Sequence, residues 1–216
     1  LWLSCWMIHH ANHLRPREDG DVKVGGHQAS SASMAAILTA LYFRVLRPED
    51  RVAVKPHAGP VFHAIQYLAG RLPLDRLRAF RGWGGVQSYP SRTKDVDDVD
   101  FSTGSVGLGA AMPVFASLVQ DYLQGHGRGA PLGRMVALMG DAELDEGNIY
   151  EALQEGWKHE LRNVWWVIDY NRQSLDGVVR EGLFGRIEAI FAAFGWRVVR
   201  IKHGALQRAA FAEPGG

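Results

Sequence analysis

The chain of 216 residues has one cysteine, Cys5, so no internal disulfide can form, and a reducing, cytoplasmic setting is expected. Neither sign of charge dominates: 24 Lys and Arg stand against 23 Asp and Glu, for a net charge of +1. Without a basic stripe, nucleic acid is not expected as a partner. Long apolar runs are missing as well. The start, Leu1 to Ile8, is broken by Ser4 and followed by His9 and His10. It is too short to span a bilayer and lacks the basic leader and small-residue cleavage site of a signal peptide, so no membrane partner is expected. There is no initiating Met, and the chain closes on Ala212-Glu213-Pro214-Gly215-Gly216 just as a new element begins. Both ends are those expected of a piece of a longer protein.

What is present is ordinary for a packed domain: 47% hydrophobic and 22% charged residues, with seven Trp and nine Phe to fill an interior. Between 30 and 46, Met34, Ile37, Leu38, Leu41, Tyr42 and Val45 recur in steps of three and four, which predicts one helix with a buried stripe. Ser30 or Ser31 can cap it and Pro48 lies past its end. Arg51 to Lys55 reads as a short strand, and Pro60 opens a helix to Leu68. Residues 80 to 104 show no period; they hold Gly82, Gly84, Gly85, Pro90 and the acidic stretch Asp95 to Asp100. Ordered loops of that length are often functional. A helix carrying Ala111, Val114, Phe115, Leu118, Val119 and Tyr122 follows, with Pro113 in its first turns or at a kink. Met135 to Met139 and Val164 to Ile168 read as strands buried on both faces, separated by a helix through Ile149, Leu153 and Trp157. A helix through Ile187, Ile190, Phe191 and Phe194 and a strand Trp196 to Ile201 complete the pattern. Strand and helix alternate, which implies the α/β class: a three-layer α/β/α architecture around a mainly parallel sheet with right-handed crossovers.

Ligands of such sheets bind beyond the carboxyl ends of the strands. Met135 to Met139 runs into Gly140-Asp141-Ala142-Glu143, and Val164 to Ile168 runs into Asp169-Tyr170-Asn171-Arg172-Gln173. Asp141 and Asn171 are 30 residues apart, the span of one strand-helix-strand unit, so the two loops should be neighbours. A carboxylate and an amide oxygen are hard ligands suited to Mg²⁺, which takes one or two carboxylates and completes its shell with phosphate oxygens and water. Gly140 lets a ligand approach the backbone closely.

Gly140-Asp141 followed at that distance by Asn171 resembles the thiamine-diphosphate signature of the transketolase-like superfamily. The strings Asn171-Arg172-Gln173-Ser174-Leu175-Asp176-Gly177 and Gly25-Gly26-His27-Gln28-Ala29-Ser30 are most similar to the single-chain decarboxylating component of pyruvate dehydrogenase, and similar segments run from Gly25 to about Ile201. The resemblance implies that Asp141, Asn171 and the backbone carbonyl of Gln173 bind Mg²⁺. It implies that thiamine diphosphate is held by Ser30, Gly107, Gly140, Asp141, Ala142, Glu143, Asn171 and Gln173. His27 and His57 resemble the two active-site histidines, which donate to a substrate oxyanion or carry protons. The glycine run Gly104 to Gly109 opens a helix whose free N–H groups favour an anion. All of 1–216 then reads as a diphosphate- and magnesium-binding domain. The expected setting is a homodimer that acts on a 2-oxo acid and hands its acyl group to a lipoyl acyltransferase. The ring-activating glutamate of the family lies on a separate pyrimidine-binding domain, so this chain alone is expected to bind cofactor without turnover. Glu146 matches a family position associated with coupling between paired sites.

Three positions depart from the pattern: Ala142 and Pro56 replace family glycines, and Lys55 sets a charge beside His57. Other functions stay open at this stage: a transketolase that moves a two-carbon ketol unit between sugars, or a non-catalytic binding module. A dinucleotide fingerprint at Gly104 to Gly109 would need a preceding strand and an acidic residue about 20 positions on, where Gln124 stands instead. Simpler readings stand beside the functional ones. Glu143, Asp145 and Glu146 can favour a helix N-terminus. His9, His10 and His13 read as part of an amphipathic helix or subunit contact. His63, His126, His159 and His203 are expected to be solvated, as is the acidic run, and Trp165-Trp166 to lie in the core.

Overall fold

The computed structural model describes residues 1–16, 25–104, 106–129, 131–174, 177–178 and 182–215, with backbone only at 173, 174, 177 and 178. The chain divides into two units, Leu1–Arg180 and Glu181–Gly216.

The first unit begins with α1 (Trp2–His9), extended by the wide turn His10–Leu14, then α2 (Gln28–Ala32) and α3 (Ala35–Ala40), which widens into the turn Leu41–Val45. There follow β1 (Arg51–Ala53), the tight turn Pro56–Ala58, α4 (Gly59–Leu68) and α5 (Leu74–Arg78). After the long loop come α6 (Leu108–Gly125), β2 (Met135–Gly140), the 3₁₀ turn Asp141–Asp145, α7 (Gly147–Lys158) and β3 (Val164–Asp169). The hairpin β4 (Gln173–Ser174) and β5 (Gly177–Val178) closes the unit.

β1, β2 and β3 form a parallel sheet in that order, with Val52 opposite Val136, and Leu138 opposite Val167. Alternation sorts the strand residues into two cores. Val52, Val54, Val136, Leu138 and Val167 face Met34, Leu38, Leu41 and the α4 residues Val61, Phe62 and Ile65. Val164 and Trp166 point the other way, toward Ala111 and Val114 of α6 and Ala152 of α7. The expected three layers are therefore present. A third cluster joins Met7, Ile8 and Ala11 to Leu72, Leu77, Phe80 and Val86, so the N-terminal helix is packed against α5 and the start of the loop.

Several expectations are corrected. Residues 30 to 46 do not form one helix: the backbone breaks at Ser33–Met34 and widens again from Leu41, where Leu46 N–H donates to the Leu41 carbonyl. Met34, Leu38 and Leu41 nevertheless stay on one buried face, because a local change of helical pitch leaves the stripe aimed at the sheet. β3 is buried less than β2, as the end strand of the described sheet. Trp165 there is 41% exposed rather than in the core, and the Arg134 guanidinium lies 4.3 Å from its ring centroid.

The acidic stretch is not a solvated loop. Asp100 accepts the Val52 N–H at 2.8 Å, and the Thr103 hydroxyl donates to the Val54 carbonyl at 2.9 Å. These bonds satisfy the outer edge of β1, which would otherwise carry unpaired backbone groups. Asp97 is buried against His63, whose Nδ1 stands 2.7 Å from the carboxylate and whose Nε2 stands 2.9 Å from the Gln87 carbonyl. His63 is thus fully buried, not solvated. Both its ring nitrogens face oxygen, so the residue ties α4 to both arms of the loop. At the opposite end of the sheet, Asp50 accepts the Arg47 and Arg134 N–H groups and pairs with the Arg134 side chain, which joins the starts of β1 and β2.

The second unit holds α8 (Leu183–Ala193) and α9 (Ala205–Phe211). Phe191 meets Trp196 edge-on at 5.9 Å, and Arg200 pairs with Glu188 at 2.6 Å. Trp196 to Ile201 is not a strand: Val199 and Ile201 are exposed, and among the described residues no strand pairs with the segment. Among the described residues no helix is long and apolar enough to cross a membrane.

Candidate functional site

The parallel register brings Gly140, the last residue of β2, opposite Asp169, the last of β3. Two acids therefore leave the sheet side by side, Asp141 and Asp169. Asp141 is 4% exposed and opens the 3₁₀ turn. Its Oδ2 accepts the Arg172 N–H at 2.8 Å, so the β2 and β3 loops are joined one residue from Asn171. At its buried Oδ1 no protein group meets hydrogen-bond geometry, although the Asp141 and Ala142 N–H groups lie close enough to the carboxylate to favour its charge. Burial raises its pKa above the ordinary carboxylate range, against the opposing pull of the Arg172, Asp141 and Ala142 N–H groups and the charge of Lys55.

Asp169 is placed differently. Its Oδ2 accepts from Lys55 Nζ at 2.7 Å and from Ser33 Oγ at 2.6 Å, with Asn171 Nδ2 at 3.4 Å. The Lys55 and Asp169 side chains are 4% and 10% exposed, a buried ion pair. Lys55 reaches it because β1 ends beside β2: a Cβ on Gly140 would stand 3.4 Å from Lys55 Cε.

Of the residues expected around the diphosphate, Gly107, Gly140, Asp141, Ala142, Glu143, Asn171 and Gln173 lie at or near these strand ends, whereas Ser30 lines the separate pocket of His27 and His57. Gln173 begins β4, whose hairpin packs on the Asp141–Asp145 turn, so its backbone lies beside that turn. Glu143 is buried with Oε1 unpartnered, and burial pushes its pKa up to about 7 despite the Gly140 N–H and Lys55; Glu146 adds to the rise. Gly107, at φ 78°, precedes the first turn of α6 and lies against the start of α7. A Cβ there would stand 2.2 Å from Asn148 Oδ1, so glycine is required both by conformation and by space. Ala142 lies in the Asp141–Asp145 turn and is not among the non-glycine residues with positive φ.

His27, Ser30 and His57 meet in a second place. They line one small pocket of ≈ 20 Å³ together with Gly26, Arg81 and Ser88. His27 precedes α2 in extended conformation, while Asn12 grips the turn before it, accepting the Gly25 N–H at 2.6 Å and donating to the Gly26 carbonyl at 3.1 Å. His57 sits in the Pro56–Ala58 turn, where Pro56 occupies a first helical position that needs no N–H. Tyr89 meets the His57 ring edge-on at 6.1 Å. Partial desolvation lowers the His57 pKa, and the nearby charges of Lys55, Arg81 and His27 lower it further. The imidazole is therefore a neutral proton acceptor at neutral pH.

This donor set fits a Mg-diphosphate group. The charged form of Asp141 is disfavoured by burial and lacks a counter-charge on Oδ1, which a cation would supply. Among the described residues no three His, Cys, Asp or Glu side chains gather as a metal cluster. The set Asp141, Asn171 and the Gln173 carbonyl contains one such side chain, within the one or two carboxylates that Mg²⁺ bound to phosphate takes. Three residues of the site were missed in the sequence. Asp169 carried the same signal as Asp141, an acid ending an apolar run. Ser33 and Arg81 had no distinguishing signal.

Comparison with known proteins bears on the same residues. The profile of the transketolase thiamine diphosphate binding domain matches residues 21–212. The chain is 32% identical to the pyruvate dehydrogenase E1 component of Mycolicibacterium smegmatis over 217 aligned positions, 94% of this chain and 23% of that protein. It is 31% identical to the 6-deoxy-6-sulfo-D-fructose transketolase subunit of a Clostridium species, which covers 89% of this chain and 73% of that protein. A transketolase structure from Leishmania mexicana superposes with a TM-score of 0.68 at 21% identity, covering 93% of this chain and 31% of that one, and shares its fold. The chain thus spans about a quarter of the length of the pyruvate dehydrogenase relatives it matches. By its profile match and these relatives, the chain belongs to the family of transketolase thiamine diphosphate-binding domains.

Proposed function

We propose that the chain is the Mg²⁺- and diphosphate-holding portion of a pyruvate dehydrogenase-type decarboxylating component. The observation that carries the metal assignment is the buried Oδ1 of Asp141, where no protein group meets hydrogen-bond geometry, one residue beyond a sheet edge whose other acid is already neutralised by Lys55. Asp141, the Asn171 amide and the Gln173 carbonyl would hold the ion. The N–H groups at the start of α6 favour the diphosphate. Bound thiamine diphosphate supplies an electron sink for decarboxylation of a 2-oxo acid. The chain's own residues position and exclude. Neutral His57 takes or returns a proton at the substrate oxygen, and His27 shares the pocket with it. A lipoyl carrier would be the acceptor of the acyl group, and a dimer with a pyrimidine-binding domain would complete the site.

Calorimetric titration with thiamine diphosphate tests the assignment. Binding is expected with Mg²⁺ present and lost in excess chelator; equal affinity in both conditions overturns the metal reading. One observation favours a second reading. The chain is similar to a transketolase subunit at 31% identity over 73% of that protein, which suits a transketolase that moves a ketol unit. Pyruvate against sugar phosphate as donor separates the two.

A further inference from the structure

Three parts of the proposed site refer to one oxygen atom. Asp169 Oδ2, at the end of β3, accepts from Ser33 Oγ at 2.6 Å and from Lys55 Nζ at 2.7 Å. The Asn171 amide nitrogen stands 3.4 Å from the same atom, and the Asn171 N–H donates to the Asp169 carbonyl at 3.0 Å. Ser33 directly follows α2, the helix that His27 precedes and that carries Ser30. Lys55 directly precedes the turn that holds His57. We propose that Asp169 is a positioning residue that sets His27 against His57 by anchoring both segments at the strand end beside the cation ligands; this rests on the thiamine-diphosphate reading above.

The two segments need an anchor because they are short. α2 has five residues, well below the ~12–15 at which a helix begins to hold itself. Ser31 is its one buried residue, so apolar packing does not fix it either. Polar ties hold it instead. Before its start, Asn12 grips the Gly25–Gly26 turn, and Gln28 Nε2 donates to the Cys5 carbonyl at 3.1 Å. Past its end, the Ser33 hydroxyl has one proton and two oxygens before it: the Ser30 carbonyl at 3.3 Å and the Asp169 carboxylate at 2.6 Å. The shorter, charge-assisted bond is the one that reaches out of the helix. The His57 turn has three residues and closes on Lys55, whose carbonyl accepts the Ala58 N–H at 2.9 Å. The Lys55 side chain is 4% exposed, so its ammonium is fixed on the carboxylate rather than shared with water.

A common anchor matters because the space it defines is small. His27, Ser30, Pro56 and His57 line one pocket of ≈ 20 Å³, room for about one water-sized group. A small shift of either segment changes which atoms the imidazoles reach. Where reacting groups must be aligned, misplacement by about 1 Å costs about 100-fold in rate. Asp169 acts here through Ser33 and Lys55, not on the imidazoles themselves.

The test compares wild type with Ser33→Ala, Ser33→Thr, Asp169→Asn and, at the opposite end of the sheet, Asp50→Asn, all in the complete protein. The first readout is the ring proton resonances of His27 and His57 without cofactor. Asp169→Asn should shift both rings. Ser33→Ala should shift His27 most, Ser33→Thr should restore it, and Asp50→Asn should shift neither. Asp169→Asn leaves the Lys55 charge buried, so Ser33→Ala carries the test should that variant fail to fold. The second readout is release of CO₂ from pyruvate with Mg²⁺ and thiamine diphosphate. Ser33→Ala is expected to lower kcat about tenfold with KM within about threefold, and Ser33→Thr to recover it. Unmoved rings in Ser33→Ala, or moved rings with kcat within about twofold of wild type, overturn the proposal. Equal ring shifts in Asp50→Asn overturn it as well, since loss of stability alone then moves the histidines. Failure of the cofactor reading looks different: wild type then binds no thiamine diphosphate in calorimetry, and the proposal stands or falls on the ring shifts.

Discussion

Asp141 and Asp169 make a natural pair for comparison. Both are acids that leave adjacent parallel strands at the same edge, and both are nearly buried. Asp169 is closed: a lysine, a serine and an asparagine amide converge on one of its oxygens. Asp141 is open: one oxygen takes a backbone N–H, and at the other no protein group meets hydrogen-bond geometry. The same residue at the same depth is structural in one loop and left for a ligand in the other. Partners, rather than sequence position or burial, distinguish the two roles.

That contrast can be broken at its closed member first. Lys55→Met leaves the Asp169 carboxylate buried with only Ser33 and Asn171, and should cost about 3–5 kcal/mol in a urea unfolding titration. A cost below about 1 kcal/mol would mean that the pair is solvent-screened and that Asp169 is no more closed than Asp141. Next in size, Asp141→Ala should weaken Mg²⁺-dependent thiamine diphosphate binding beyond the roughly 100-fold seen for outer-shell ligand partners. The same variant should keep or gain folding stability, because it removes an unsatisfied buried acid. Asp97→Ala offers a control away from the strand ends. It should lower stability by about 1.5–3 kcal/mol through the lost bond to His63, with cofactor affinity intact.

The pH dependence should carry opposite signs at open and closed acids. Burial alone would raise the Asp50 pKa, but the hydrogen bonds from the Arg134 side chain and from the Arg47 and Arg134 amides hold it below its ordinary value. Its contribution is complete above the unfolded carboxylate pKa and disappears as pH falls through the lowered folded value. Asp141 and Glu143 are raised, so the cofactor-free folded chain binds more protons than the unfolded one. Stability then declines as pH rises from the ordinary carboxylate range toward about 7, the Glu143 value. Urea titrations across pH should show the acid-side loss vanish in Asp50→Asn and the neutral-side decline shrink in Glu143→Gln. A decline that persists unchanged in Glu143→Gln assigns it to another group.

Much of this was legible in residue order. β2 and β3 announced themselves as apolar runs with an acid at the end, and their spacing required adjacency. The 30-residue spacing of Asp141 and Asn171 suits one strand-helix-strand unit, and the two loops are joined by the Arg172 N–H on Asp141, while the Asn171 amide itself lies 3.4 Å from Asp169. What stayed hidden depended on long-range closure. The Asp169–Lys55–Ser33 cluster joins positions separated by more than a hundred residues, and no local pattern encodes it. Asp95 to Asp100 looked like a solvated run because charge usually is solvated. Here it satisfies the open edge of β1 and buries Asp97 against His63, needs that exist only once the sheet has formed. The periodicity of 30 to 46 identified the buried face but not the breaks at Ser33–Met34 and Leu41, since a stripe survives a local change of pitch.

The most direct test of the metal assignment substitutes Mn²⁺ for Mg²⁺ and follows backbone amide resonances in the presence of thiamine diphosphate. The Arg172 N–H is bonded to Asp141 and the Gly140–Ala142 amides flank it, so these signals should broaden first, and should be spared in Asp141→Ala. Uniform weak broadening, or strong broadening centred elsewhere and unchanged in the variant, would contradict a cation held at these strand ends.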